Sequence, residues 1–309
     1  MEIKTYEIPE LIAFGIINDG NVIKNIKQYY PNLIESDKNT EFYLDYRVCN
    51  NFNSFPSRQS NQSLKPFRNC VYYSYMDKNT GYVFAYAPKT NQTIEHALIR
   101  NGNYIQVLSN EINGKVFLRT IRELILRKYI SKGYFPLHAS STVFNKKTSL
   151  QFGPKNSGKS TALFKKIIID KHSLMSNDIT LVGQETNGWN AISASYDLTF
   201  DPSLFNINSE NKIRFKPEEF CEKFNIEWCS QGLVDNISFI TLDKNQKFHQ
   251  AFISQTEFLD KLIKYGKDSH FNFDDYLFLN NLNPEFNYEN LSHSFIAAHI
   301  SGNIFDRKR

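Results

Sequence analysis

The sequence predicts an α/β domain, α+β over the chain as a whole, preceded by a β-rich N-terminal module. Three observations predict it. Up to about residue 115, short β-prone segments alternate with turn chemistry; near residue 153 a strand runs directly into a glycine-rich loop and a helical segment; further strand-like and helical segments follow.

The module, residues 1–117, has strands at Phe42-Tyr-Leu-Asp-Tyr-Arg-Val48, Asn69-Cys-Val-Tyr-Tyr-Ser-Tyr75 and Tyr82-Val-Phe-Ala-Tyr86, the last following the turn Asp77-Lys-Asn-Thr-Gly81. Asn50 to Pro66, rich in Asn, Ser, Gln and Pro, reads as an exposed loop. No catalytic constellation stands in this module.

The second domain spans residues 118–309. Leu118, Ile121, Leu124, Ile125 and Tyr129 recur at helical spacing, and Gly133 stands where a C-terminal cap is expected. Tyr134 to Phe144 reads as one strand, Asn145-Lys-Lys-Thr148 as a turn and Ser149 to Phe152 as a second strand. The glycine loop follows, then a helix over Lys159 to Ile169, then a strand leading to Asn177-Asp178 and on through Ile179-Thr-Leu-Val182. Downstream, Pro217-Glu-Glu219 starts a short helix, because proline suits the first helical position and acids suit the first turn. Ile237 to Leu242 reads as an apolar strand, and Thr256 to Tyr265 as an amphipathic helix.

Composition supports a folded, soluble protein. Of 309 residues, 41% are hydrophobic and 15% aromatic, enough for a sizeable core. The net charge of +4 is the small excess of 36 basic over 32 acidic side chains, spread along the chain, which points to neither a nucleic-acid nor a membrane surface. Cys49, Cys70, Cys221 and Cys229 include no CxxC pair and read as reduced thiols. The N-terminus lacks a secretory pattern and no long apolar run occurs, so a cytoplasmic location is expected.

Residues 153–161, Gly-Pro-Lys-Asn-Ser-Gly-Lys-Ser-Thr, carry the chemistry. Gly153 and Gly158 let the loop of Pro154, Lys155, Asn156 and Ser157 curl with its N–H groups inward, and the following helix adds its positive end. In this pattern Lys159 reaches the β- and γ-phosphates, Ser160 is placed on Mg²⁺, and Thr161 continues the helix beside the α-phosphate. The loop reads as a nucleotide site, with ATP as the expected nucleotide. Two acids compete to orient the metal: Asp178, after the first strand beyond the loop helix, and Asp243, after Ile237-Ser-Phe-Ile-Thr-Leu. Asp243 also opens a good turn sequence. His96, His172, His249, His270, His293 and His299 have no metal-ligand spacing.

Pro136-Leu-His-Ala-Ser-Ser-Thr, Leu150-Gln-Phe-Gly-Pro-Lys-Asn-Ser-Gly-Lys-Ser-Thr and Leu174-Met-Ser-Asn-Asp, in this order, resemble HPr kinase/phosphorylase and its relatives. Those relatives include HPr-kinase-like proteins of peptide-modification systems, such as lasso-peptide kinases. The resemblance covers roughly residues 118–245. It implies the compact P-loop core shared by HPr kinase and phosphoenolpyruvate carboxykinase, and Mg²⁺-dependent transfer from ATP to a Ser or Thr hydroxyl of a peptide or protein. It further implies that His138 lies beside the phosphates, that Gly153 to Thr161 hold the nucleotide, and that Asp178 is the second acid of the family's acidic pair. It favours Asp178 over Asp243. Two departures stand out: Asn177 replaces the first acid of the pair, and Thr161 replaces a metal-assisting Glu. They argue against HPr itself as substrate and leave a competing reading, a nucleotide-binding regulatory module without transferase activity. A guanine-specific Asn-Lys-x-Asp motif is missing, which speaks against a GTPase. Self-association is left open.

Overall fold

A computed structural model describes residues 3–17, 22–30, 32–52, 55, 65–67, 70–86, 94–110, 114–194, 197–241, 249–252, 254–266, 295 and 305–308. These fall into two compact units, one ending at Lys128 and the other beginning at Tyr129.

The first unit is built on nine strands: β1 (Ile3–Ile8), β2 (Ile12–Ile17), β3 (Ile34–Glu35), β4 (Phe42–Val48), β5 (Lys65–Phe67), β6 (Cys70–Asp77), β7 (Thr80–Tyr86), β8 (Ile94–Asn101) and β9 (Tyr104–Ser109). They form one sheet in the order β3-β1-β2-β4-β9-β8-β7-β6-β5. Helix α1 (Val22–Lys27) and the long helix α2 (Lys115–Ser131), up to Lys128, belong to the same unit. Phe117 of α2 packs on Tyr46 of β4 at 5.4 Å between ring centroids. The turn expected after Asp77 is present, with Lys78 at a positive φ of 52° between paired strands β6 and β7. Helix α2 starts earlier than its apolar spacing indicated, because Lys115 and the buried Val116 and Phe117 join its first turn.

The second unit contains β10 (Phe135–Leu137), β11 (Ala139–Phe144), β12 (Lys147–Phe152), α3 (Lys159–Ile168), β13 (Ser173–Ser176), β14 (Thr180–Glu185), β15 (Gly188–Ser193), β16 (Leu198–Phe200), β17 (Ile213–Phe215), α4 (Pro217–Phe224), β18 (Gln231–Thr241), β19 (His249–Phe252), α5 (Gln255–Gly266) and β20 (Phe305–Lys308). Its main sheet runs β10-β14-β15-β18-β12-β11-β13, with β19 and β20 added through β18, and β16 pairs with β17 separately. The sheet is mixed: β12 and β18 are parallel, whereas β12–β11, β11–β13 and β15–β18 are antiparallel. The architecture is mixed α+β, as expected for the chain as a whole.

The stretch Tyr134–Phe144, expected to be one strand, is two. It breaks at His138, because β10 pairs with β14 whereas β11 pairs with β12 and β13. The break places His138 at a change of direction instead of in a ladder.

Helices cover both faces of this sheet. On one, Phe258 of α5 meets Phe152 edge-on at 5.2 Å, within a core that includes Leu150, Ile237 and Phe239. On the other, Leu163 and Ile167 of α3 pack with Leu174, Leu198, Phe200 and Phe220. Phe152 and Phe239 are adjacent in register, so the centre of the sheet is a buried aromatic pair. Among the described residues, no helix is long and apolar enough to cross a membrane.

Candidate active site

Strand β12 ends where Phe152 pairs with Ala139 on one side and Phe239 on the other. The next residue must be glycine. A Cβ on Gly153 would lie 2.2 Å from the carbonyl oxygen of Ile240 and 2.9 Å from Ser157 Oγ, far inside van der Waals contact. The loop then turns through Asn156 (φ 65°) and Gly158 (φ 89°), left-handed positions that asparagine and glycine tolerate best. Ser157 N–H donates to Pro154 O at 3.2 Å and closes the turn.

Gly158 is the N-cap of α3, and no side chain caps that end. The first N–H groups of the helix therefore point toward the loop with no competing side-chain acceptor at the cap. Lys159, the first helical residue, is buried, and its Nζ donates to Gly153 O at 2.9 Å and to Pro154 O at 3.1 Å. A buried ammonium is thus wrapped by the loop's own carbonyls. Around it, Ser157 is buried, Pro154, Gly158, Ser160 and Thr161 are half-buried, and Lys155 and Asn156 are exposed.

Register brings the other candidates to this edge. Ala139 opposes Phe152, so His138 and Gly153 are the next residues outward on adjacent strands. Ser141 opposes Ser176, which brings Asn177 and Asp178 to the same end. His138 Nε2 lies 3.2 Å from Asp178 Oδ1, and the Asp178 side chain is 46% exposed. The turn carrying Asp178 is braced twice. Ser176 Oγ donates to Ile179 O at 2.5 Å, and Thr180 Oγ1 donates to Ala139 O at 3.1 Å, tying the turn to the residue after His138.

Asn177 does not face the solvent beside Asp178. It is buried, and its Nδ2 donates to Thr199 O at 3.3 Å. That bond explains the residue type: a carboxylate at this position would confront a carbonyl oxygen with no proton to offer. Among the described residues, Asp178 is the carboxylate brought to this edge beside His138, with Asn177 where the family pattern has a first acid.

Asp243 lies outside the described residues, as do His270, His293 and His299; His249 lies in β19. His96 is buried, and burial followed by the nearby Arg119 pushes its pKa down to about 3, so it is a neutral core group. His172 stacks on Phe144 at 4.9 Å between centroids and shares a 3.1 Å hydrogen bond with Thr142. Burial raises the Cys221 thiol to about 12, far from a reactive thiolate. Among the described residues, no three His, Cys, Asp or Glu side chains converge as a metal cage.

Sequence reasoning missed Ser140 and Gln151, buried polar residues just inside the edge. Their signal was a polar residue between Leu150 and Phe152 in a strand apolar on its other face.

No family model matches the chain, and no curated protein does either. Among solved structures, the HPr(Ser) kinase/phosphatase from Coxiella burnetii aligns at 21% identity over 38% of this chain and 78% of its own, with a TM-score of 0.27. Likeness at this level carries neither fold nor chemistry, and function is read from the residues at the sheet edge.

Proposed function

We propose that this chain is an HPr-kinase-like, ATP-dependent phosphotransferase that phosphorylates a Ser or Thr hydroxyl of a peptide or protein, in a peptide-maturation setting. The observation that supports it is the meeting, at one sheet edge, of a lysine-bearing glycine loop with the His138–Asp178 pair.

Phosphoryl transfer asks for a clamp on the β/γ-phosphates, charge neutralisation and an aligned acceptor hydroxyl. The loop N–H groups and the uncapped start of α3 suit the first demand. Lys159 would exchange the neutral carbonyls of Gly153 and Pro154 for phosphate oxygens, trading two ordinary hydrogen bonds for charge-assisted ones. Mg²⁺ takes one or two protein ligands besides substrate phosphates, a demand that the half-buried Ser160 and the half-exposed Asp178 fit. When bound, the metal would supply neutralisation of the phosphate charge. The acceptor proton falls to Asp178 or His138, which stand within hydrogen-bonding distance of each other. Asn177, held by Thr199, cannot take it.

A second reading, a nucleotide-binding regulatory module, is favoured by Asn177 alone. The experiment that separates the two is incubation of the full chain with labelled ATP, Mg²⁺ and hydroxyl-bearing peptides, read by mass spectrometry. A gain of one phosphate that Lys159→Ala abolishes supports the kinase; tight ATP binding with no transfer to any acceptor supports the regulator.

A further inference from the structure

Beneath the glycine loop, the sheet face that carries α3 presents a row of buried polar side chains. Register fixes it: Ser140 of β11 pairs with Gln151 of β12, and Gln151 pairs with Ser238 of β18. Asn177 follows Ser176, the partner of Ser141, and so extends the row beyond Ser140. Its bond to Thr199 O puts its side chain on the α3 side, because neighbouring Leu198 and Phe200 pack with Leu163 and Ile167. Ser157 closes the row from above: its Oγ is 2.9 Å from where a Cβ of Gly153 would stand, and Gly153 shares the strand side of Gln151, two residues earlier. The relative exposures of Ser140, Gln151, Ser157, Asn177 and Ser238 are 0, 2, 4, 7 and 0%.

Ser238 is satisfied, with Oγ donating to Asn236 Oδ1 at 3.0 Å. Ser140 Oγ, both amide atoms of Gln151, Ser157 Oγ and Asn177 Oδ1 make no hydrogen bond among the described residues. Buried polar atoms in native proteins are almost always paired, and ordered water serves those that protein groups do not reach. The mix of atoms selects the ligand. Nε2 of Gln151 only donates, its Oε1 and Asn177 Oδ1 only accept, and the two hydroxyls do either. A cation would leave Nε2 unmatched; an anion would face two amide oxygens. Water matches every member.

We propose that this row is an internal hydration site, in which ordered water held by Gln151, Ser140, Ser157 and Asn177 ties the glycine loop to the turn bearing Asp178. The consequence for nucleotide binding rests on the kinase reading; the hydration does not.

The test is a crystal structure at a resolution that shows solvent, together with thermal melts of Gln151→Met and Ser140→Ala. The expected result is one or two waters within hydrogen-bonding distance of Gln151 and Ser140, and a Tm for Gln151→Met lower by about 2–6 °C, since the water loses its amide partner. A dry row, or a Gln151→Met Tm that holds or rises, overturns the proposal, because removing unsatisfied atoms from a dry site relieves a desolvation cost. If Gln151→Met does not fold, Ser140→Ala decides by the same signs. Folded Gln151→Met should bind ATP about three- to tenfold more weakly; an unchanged Kd overturns the tie to the loop. A chain that shows the waters yet transfers no phosphate sinks only the kinase reading.

Discussion

Asp45 and Asp178 stand beside strands of two different sheets, and they are held in opposite ways. Asp45, on β4 of the first unit, has a fully buried side chain, and its Oδ2 accepts from Arg47 Nε at 2.8 Å, Tyr104 OH at 2.6 Å and Gln106 Nε2 at 3.2 Å. Asp178 sits on an edge turn with nearly half its side chain in solvent and a histidine nitrogen at 3.2 Å. Burial raises the Asp45 carboxyl, but hydrogen bonds from Arg47, Tyr104 and Gln106 outweigh it and hold it below the usual range. A saturated carboxylate can neither take a proton nor bind a metal without breaking its network. A half-exposed one at the edge of a lysine-bearing loop is accessible from solvent. The surroundings differ in the same sense. In the first unit, Tyr73, Tyr75, Tyr82 and Phe84 stack at 4.9–6.4 Å on one sheet face, an aromatic layer that contributes to stability. In the second, strands that could have been apolar throughout carry Ser140, Gln151 and Ser238 under the loop.

The largest expected effect is on transfer. Asp178→Asn and Lys159→Ala should each lower phosphoryl transfer by on the order of 10²–10⁴-fold. Asp178→Asn should keep measurable ATP binding by calorimetry and a Tm near wild type, since its side chain is half exposed. Asp45→Asn should do the reverse, leaving any transfer by the folded chain unchanged while lowering stability by about 1–3 kcal/mol in urea melts. Equal loss of transfer in the two variants would break the comparison.

Next comes Gly153→Ala. The methyl must displace the Ile240 carbonyl or the loop, so ATP affinity should fall by about tenfold or more, with a stability loss of about 1–3 kcal/mol. Asn177→Asp should not restore a paired acid. Facing the Thr199 carbonyl in a buried position, it should cost about 1–3 kcal/mol in melts at neutral pH and give no rise in transfer. The smallest effect is in acid. Because the folded Asp45 carboxyl is depressed, its contribution is complete above the unfolded value of about 4 and is lost as pH falls through the folded one. Urea melts between about pH 2 and 5 should show a shallower acid limb in Asp45→Asn than in wild type.

What the sequence disclosed was local. The turn at Asp77, the strands around it, and the run from β12 through Gly153 and Gly158 into α3 all rest on neighbours in the chain, where turn residues, alternation and glycine spacing act directly. Long-range pairing was hidden. Nothing near His138 states that β10 and β11 choose different partners, and nothing near Asn177 announces a carbonyl 22 residues away. The row of Ser140, Gln151 and Ser238 exists only once register aligns three strands. The parallel pairing of β12 with β18 likewise decides that Ile240 meets Gly153, which turns a motif glycine into a steric requirement.

In the proposed function, the lysine-bearing loop and Asp178 together transfer a phosphoryl group to a hydroxyl. Single-turnover reaction of the full chain and of Asp178→Asn with labelled ATP, Mg²⁺ and a Ser/Thr peptide tests it most directly. The expected result is one phosphate on the peptide with the native chain, and bound but untransferred ATP with Asp178→Asn. Native chain that binds ATP and modifies no hydroxyl, or Asp178→Asn that transfers at the native rate, would contradict it.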